Sequence, residues 1–213
     1  IRCCIFFSIP TPQSETVSNH AMAYMRTCDQ VVIDAALGDA YTGETGVTPT
    51  SLPSGQKVAV DYVESGTAAN SGLTIAKLRQ AAYLLTEAEV DDSDPRILVV
   101  GAKQIQDLLK TTEITSADFN TVKALVNGEI DTFMGFKFRR VSSSLLPYVS
   151  GTGVRTCFAY VRSGIKLADA GRKVHVDIRA DKSHALQIRT VASLGATRTQ
   201  EEKVVEIAAD EVL

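Results

Sequence analysis

The sequence is poor in the residues that most often hold metals, with four cysteines and three histidines. Cys3, Cys4, Cys28 and Cys157 form no C-x-x-C pair and have no histidine at ligand spacing, so the signature of a zinc site is missing. Thiols in this arrangement read as reduced cysteines of a chain made in a reducing compartment. His20, His175 and His184 lie far apart in the chain and read as surface side chains. Positive charge is not concentrated either: 22 Lys and Arg stand against 25 Asp and Glu, for a formal net charge of −3. No basic run exceeds Arg139-Arg140. A nucleic-acid binder needs a dense positive footprint to hold phosphates, so specific nucleic-acid binding is not expected.

Catalytic and ligand-binding patterns are also lacking. There is no G-x-S-x-G at which a nucleophilic serine would sit. Ser150-Gly-Thr-Gly-Val154 lacks the lysine and spacing of a phosphate cradle and reads as a turn. Asp91-Asp92-Ser93-Asp94 lacks the glycine and distal glutamate of a calcium loop and reads as a solvated acidic turn. Val99-Val100-Gly101-Ala102-Lys103 would bring backbone amides and a lysine near an anion. A glycine at a tight strand-to-helix turn accounts for the same residues. We therefore expect no catalytic, cofactor-binding or metal-binding residue, and no enzyme. Ile1 to Phe7 is apolar but too short to span a membrane, and it lacks the longer core and cleavage site of a signal peptide.

What remains is a folded protein of ordinary composition, 45% hydrophobic and 22% charged over 213 residues, enough for one compact unit with an inserted subdomain. After Pro10 and Pro12, Ser14 is placed to cap a helix running to about Leu37, where Gly38 stops it. Val17, Ala21, Tyr24, Cys28, Val31 and Ala35 fall on one stripe of that helix. From Asp39 to Gly72 the pattern predicts a loop, a strand at Lys57 to Val63, and another loop. Thr74 caps a second predicted helix, with Ile75, Leu78, Ala82 and Leu85 inward and Lys77, Arg79, Glu87 and Glu89 toward solvent.

Arg96 to Val100 reads as a buried strand, and Gly101 turns it into a helix carrying Ile105, Leu108 and Leu109. Ala117 to Asn127 shows a further amphipathic face of Phe119, Val122, Leu125 and Val126 after Ser116, ended by Gly128. Phe136 and Phe138 alternate with Lys137 and Arg139 in a strand after Gly135. A turn-rich stretch follows from Ser142 to Gly153. The last third is β: Thr156 to Val161, Leu186 to Leu194 and Val204 to Ile207 are predicted strands, separated by Gly164, Gly171 and Gly195. Val174, Val176 and Ile178 alternate with Lys173, His175, Asp177 and Arg179. A sheet beside the long first helix is expected.

Several blocks, in one consistent order, resemble the major capsid proteins of tailed bacteriophages. They are Asp29 to Gly43, Gly72 to Leu78 with Arg96 to Val100, Thr115 to Gly128, Asp131-Thr-Phe-Met-Gly-Phe-Lys-Phe138, Asp181 to Ile188, Gly195 to Arg198 and Lys203 to Ile207. The likeness covers about Ser14 to Glu211. It implies an α+β chain with the HK97-type phage capsid fold: a peripheral domain of spine helix and sheet (14–72 and 154–213), an inserted α/β axial domain (73–153), and an atypical segment (1–13).

The resemblance further implies pentamers and hexamers of this chain tiling an icosahedral shell around DNA. The virion would be its place, after a passage through the bacterial host cytoplasm, with other phage head proteins as further partners and no membrane. Contacts are expected on the outward edge of the spine helix and on the loops Thr42 to Pro53 and Ser142 to Gly153. The family carries an N-terminal arm and an extended loop before the spine helix, which the residues ahead of Ser14 do not match, so a truncated or prophage-derived chain is expected. Two alternatives stand beside this: the shell of a bacterial nanocompartment, and a small-molecule-binding α/β domain with its site at the carboxyl end of Arg96 to Val100.

Overall fold

Proline fits the first turn of a helix because its missing N–H has no partner to lose there. The first element, α1, accordingly runs Pro12–Leu37 in a computed structural model that describes residues 12–91, 94–110 and 132–212. Ser14 lies inside that first turn and not at the cap, a correction to the expected start. At its far end Gly38 N–H bonds Asp34 O at 2.8 Å. A Cβ on Gly38 would sit 2.7 Å from the same oxygen, so glycine there is a steric requirement.

The chain divides into two compact units. One, the helix–hairpin unit, comprises Ile1–Val32 and Leu167–Ala196; the other, the sheet unit, comprises Ile33–Lys166 and Thr197–Leu213. The boundary therefore falls inside regular elements: α1, the strand β9 (Ile165–Arg179) and the strand β10 (Ala185–Arg198).

The sheet unit begins with a hairpin in the stretch expected to be loop. β1 (Ala40–Thr42) pairs antiparallel with β2 (Thr48–Thr50). The expected strand from Lys57 to Val63 shrinks to β3 (Lys57–Val58). Val60 O leaves the ladder and accepts from Ser71 N instead, at 3.1 Å. α2 (Ile75–Glu87) carries the predicted cap, with Thr74 Oγ1 accepting from Lys77 N at 3.4 Å. Its buried face is wider than predicted: Ile75, Leu78 and Leu85 are buried as expected, but so are Ala76, Lys77 and Ala81.

β4 (Arg96–Val100) is the apolar run found in the sequence, and it sits in the middle of a seven-stranded mixed sheet. It pairs antiparallel with β8 (Val154–Val161) on one side and parallel with β6 (Phe136–Arg140) on the other. α3 (Ala102–Lys110) follows it and buries Ile105 and Leu108. The predicted helix from Ala117 to Asn127 lies outside the described residues. β5 (Thr132–Phe133) and β6 are joined by Met134-Gly135, whose φ angles of 51° and 79° are both positive. Two such residues make the turn whose twist matches a hairpin, which is why glycine belongs at the second position.

β7 (Tyr148–Val149) adds to β8, and β11 (Val204–Asp210) lies between β8 and β3. The path across the sheet is β3-β11-β8-β4-β6-β5. Strands from either side of the expected axial boundary at 153 thus share one sheet. Phe136, Phe158, Leu98, Leu108, Val100 and Ile207 are fully buried in this unit.

In the helix–hairpin unit β9 and β10 make a two-stranded ribbon. Gly171 and Gly195, expected between strands, lie inside β9 and β10. Gly171 has φ +96°, and its N–H bonds Asp169 Oδ1 at 2.8 Å, so a residue in the left-handed region is accommodated without ending the strand. Ser183 and His184, at φ 54° and 58°, close the ribbon's turn.

Candidate functional site

Period-two alternation in β9 tells which side chains share a face but not whether anything covers it. The predicted apolar set, Val174, Val176 and Ile178, is 48%, 55% and 69% exposed. Lys173, His175, Asp177 and Arg179, on the opposite face, are exposed as well. Val17, Met22, Met25, Leu167 and Val191 add further exposed apolar surface to the same unit. Among its described residues none is buried. Each aliphatic side chain taken from exposed to buried contributes about 1.5–3 kcal/mol, and here that contribution is left uncollected.

Helix and ribbon nevertheless meet within the unit. Ala21, Tyr24, Cys28 and Val31 of the predicted stripe are half-buried, while Val17 is exposed. A groove of about 400 Å³ runs between His20, Tyr24 and Thr27 on α1 and Thr190, Ala192 and Leu194 on β10. A smaller gap of about 60 Å³ continues it past Val17 and Ala21 to Val174 and Ile188. Val176 and Ile178 prolong that apolar face toward the ribbon's turn.

Tyr24 Oη donates to Asp169 Oδ2 at 2.6 Å. That bond is the main reason the phenol is pushed up to about 12, with burial and Cys28 adding to it. His20 Nδ1 lies 3.4 Å from Thr190 Oγ1, so this histidine is a half-buried packing residue and not the surface side chain expected. His175 and His184 are exposed, as predicted.

The sheet unit hides three polar centres that the sequence did not announce. Lys77, expected in solvent, is fully buried. Its Nζ donates to the carbonyls of Ser71, Val60, Ala208 and Gly72 at 2.7, 2.8, 2.9 and 3.0 Å. The correction follows from the broad inner face of α2: Lys77 stands one turn before Ala81 and beside Leu78, on the side that packs against β11. Burial pushes its ammonium down to about 8, against the upward pull of Asp210, Asp61 and Asp107.

Arg198 is the second centre. Its guanidinium donates to Ala36 O at 3.0 Å, to Ala35 O at 3.4 Å and to Gly38 O, the carbonyls left open at the end of α1. It also reaches Thr50 O at 3.0 Å and Glu201 Oε2 at 2.6 Å.

The third lies at the carboxyl end of β4, where the small-molecule alternative would have its pocket. Glu211 Oε1 accepts from Arg155 Nε at 2.6 Å and from Gln104 Nε2 at 2.8 Å. Burial alone would raise the Glu211 carboxyl, but these bonds and the charge of Arg155 hold it below the usual carboxylate range. Arg155 also donates to Leu146 O and Ser143 O and stacks on Tyr148, 4.8 Å from the ring centre. A Cβ on Gly101 would lie 2.7 Å from Gln104 Oε1 and 3.2 Å from Ser143 Oγ. Gly101 is therefore there for close packing, and the hinted anion space beside it is filled by side chains.

Among the described residues no group of His, Cys, Asp and Glu is placed to hold a metal ion, and no helix is long and apolar enough to cross a membrane. Cys28 and Cys157 are free thiols, and burial pushes Cys157 up to about 12.

Comparison with known proteins identifies a family and a fold for the chain. The family described as phage capsid protein matches residues 8–211. No curated protein sequence matches. Among solved structures, the capsid of the cyanophage P-SCSP1u is similar at TM-score 0.62 and 17% identity, over 93% of this chain and 66% of that one. A protein of Mycobacterium phage Che8 is similar at TM-score 0.56 and 20% identity, over 92% of this chain and 63% of that one. The capsid of Helicobacter pylori bacteriophage KHP30 gives TM-score 0.55 and 11% identity, over 91% and 68%. The chain thus spans about two thirds of the length of the phage proteins it matches.

Proposed function

The chain belongs to the phage capsid protein family, and we propose that it serves as a major capsid subunit, a structural building block that associates with copies of itself into pentamers and hexamers of an icosahedral shell around DNA. One observation carries the reading: the helix–hairpin unit buries none of its described residues and displays an apolar face along β9. Apolar surface of that kind on a soluble chain marks a place where another protein packs. Repetition of one modest contact under closed symmetry is what a shell requires. The like fold of phage capsids supports the same reading.

The helix–hairpin unit has the composition expected of a peripheral domain, a long helix with a β-ribbon. The sheet unit, most of which is inserted between the two segments of the other, has that of an axial domain. The way the chain divides favours boundaries near 32, 166 and 196 over those near 72 and 153 expected from the sequence. The virion is then the chain's destination and the host cytoplasm its place of synthesis, with other head proteins as further partners.

The test is the mass of the purified chain by light scattering over a wide concentration range, with negative-stain images of any large fraction. Rings of five or six, or closed shells, are expected. A monomer at every concentration would refute self-assembly of this chain.

A further inference from the structure

The carbonyls around Lys77 make a cage that is unusual for a lysine. An ammonium has three protons, yet four carbonyl oxygens lie 2.7–3.0 Å from this one nitrogen. At least one of them is therefore held by ion–dipole attraction and not by its own hydrogen bond. These distances are longer than the roughly 2.3–2.6 Å of calcium–oxygen contacts or the roughly 2.0–2.1 Å of magnesium, and they suit a large monovalent ion. Rings of backbone carbonyls replace the water shell of such ions elsewhere in protein chemistry. Burial disfavours positive charge at Nζ, and Asp210, Asp61 and Asp107 offset part of that cost; Asp107 and Asp210 are themselves buried in the same unit. The four carbonyls come from the two ends of one loop, at Val60 and at Ser71-Gly72, and from Ala208 in β11, so the cation ties that loop to the sheet.

We propose that this cage is a monovalent-cation site which the chain fills with its own ammonium, and which takes up a free primary alkylammonium ion when the Lys77 side chain is shortened. The alanine side chain ends at Cβ, so the missing Cγ, Cδ, Cε and Nζ have the shape of propylammonium. The ligand class is fixed by the geometry: a single primary ammonium head on a narrow apolar stem.

The experiment uses the full chain carrying Lys77→Ala, melted in propylammonium chloride against equal concentrations of sodium chloride, tetramethylammonium chloride and 1-propanol. Saturable protection by propylammonium alone is expected, about 3 to 6 °C at ten times the dissociation constant. It should be absent in the unsubstituted chain, whose site is filled. Equal protection by 1-propanol would show an apolar cavity in place of a cation site and would overturn the proposal, as would an equal response of the unsubstituted chain. If Lys77→Ala does not fold in sodium chloride, folding restored by propylammonium supports the site. Where it folds in no salt, the unsubstituted chain decides. Its Lys77 ammonium should give a slowly exchanging Hζ–Nζ correlation by NMR at pH 7, and the lack of that protected signal would refute the cage.

Discussion

Replacing Arg198 with methionine keeps most of the stem volume and removes a guanidinium that holds five separate groups. Four are backbone carbonyls, three of them at the open end of α1, and the fifth is the Glu201 carboxylate at 2.6 Å. Removing one partner of a buried ion pair costs about 3–5 kcal/mol, because the other is left with neither water nor a counter-charge. Glu201 is not sealed off, its side chain being 20% exposed, so part of that penalty is relieved by solvent. The stranded carbonyls restore some of it, since each buried acceptor left unmatched costs about 1–3 kcal/mol. The overall loss is then about 3–4 kcal/mol, or a fall in Tm of about 6–16 °C for a chain of this size.

Urea unfolding followed by circular dichroism measures the loss, at a concentration low enough to keep the chain unassembled. The m-value should not change. Arg198→Lys should recover only part, because a point charge cannot fork to several carbonyls. Adding Glu201→Gln to Arg198→Met should also recover part, by removing the unpaired charge. A loss of under about 1 kcal/mol for Arg198→Met would refute the reasoning, since the cost of breaking a buried pair would then not apply.

Other outcomes follow from the same structure. Val176→Asp and Ile178→Asp should abolish association in light scattering while leaving urea unfolding of the dilute chain unchanged, because neither side chain is buried in the subunit; destabilisation of the dilute chain would contradict that. Relative to Lys77→Met, the unsubstituted chain should gain stability as pH rises from about 8 toward 10.5, since the unfolded chain holds the Lys77 proton longer than the folded one; a falling difference over that window would reverse the sign of the burial effect. Cys157 should resist a thiol reagent in the folded chain and react on unfolding, as mapped by mass spectrometry, because burial keeps it protonated. Gly101→Ala should cost about 1–3 kcal/mol through overpacking against Gln104 and Ser143, and a neutral result would show that those side chains yield.

The elements legible in the sequence are those whose own residues carry the signal. The apolar run Arg96 to Val100, the Thr74 cap, the stop at Gly38 and the alternation around Phe136 each depend on local sterics and on one repeating period. Lys77 and Arg198 were not legible because their partners are backbone carbonyls of distant segments, and every residue type offers a carbonyl. No side-chain pattern distinguishes the four that surround Nζ from any others. The three-residue strands β1 and β2 are too short for a period to show. The exposure of Val174, Val176 and Ile178 was hidden for a different reason: alternation fixes a face, whereas its covering is decided by another surface altogether.

That uncovered ribbon has a consequence for the fate of unassembled chains. Lys173, Arg179, Lys182 and Arg189 stand exposed along it, and a ribbon with no buried side chain among its described residues within the helix–hairpin unit opens at low free-energy cost. Cleavage of a briefly opened segment follows how often it opens. A protease such as trypsin would therefore cut lone chains at the ribbon and spare those whose ribbons are packed in an assembly, so that digestion itself sorts one population from the other.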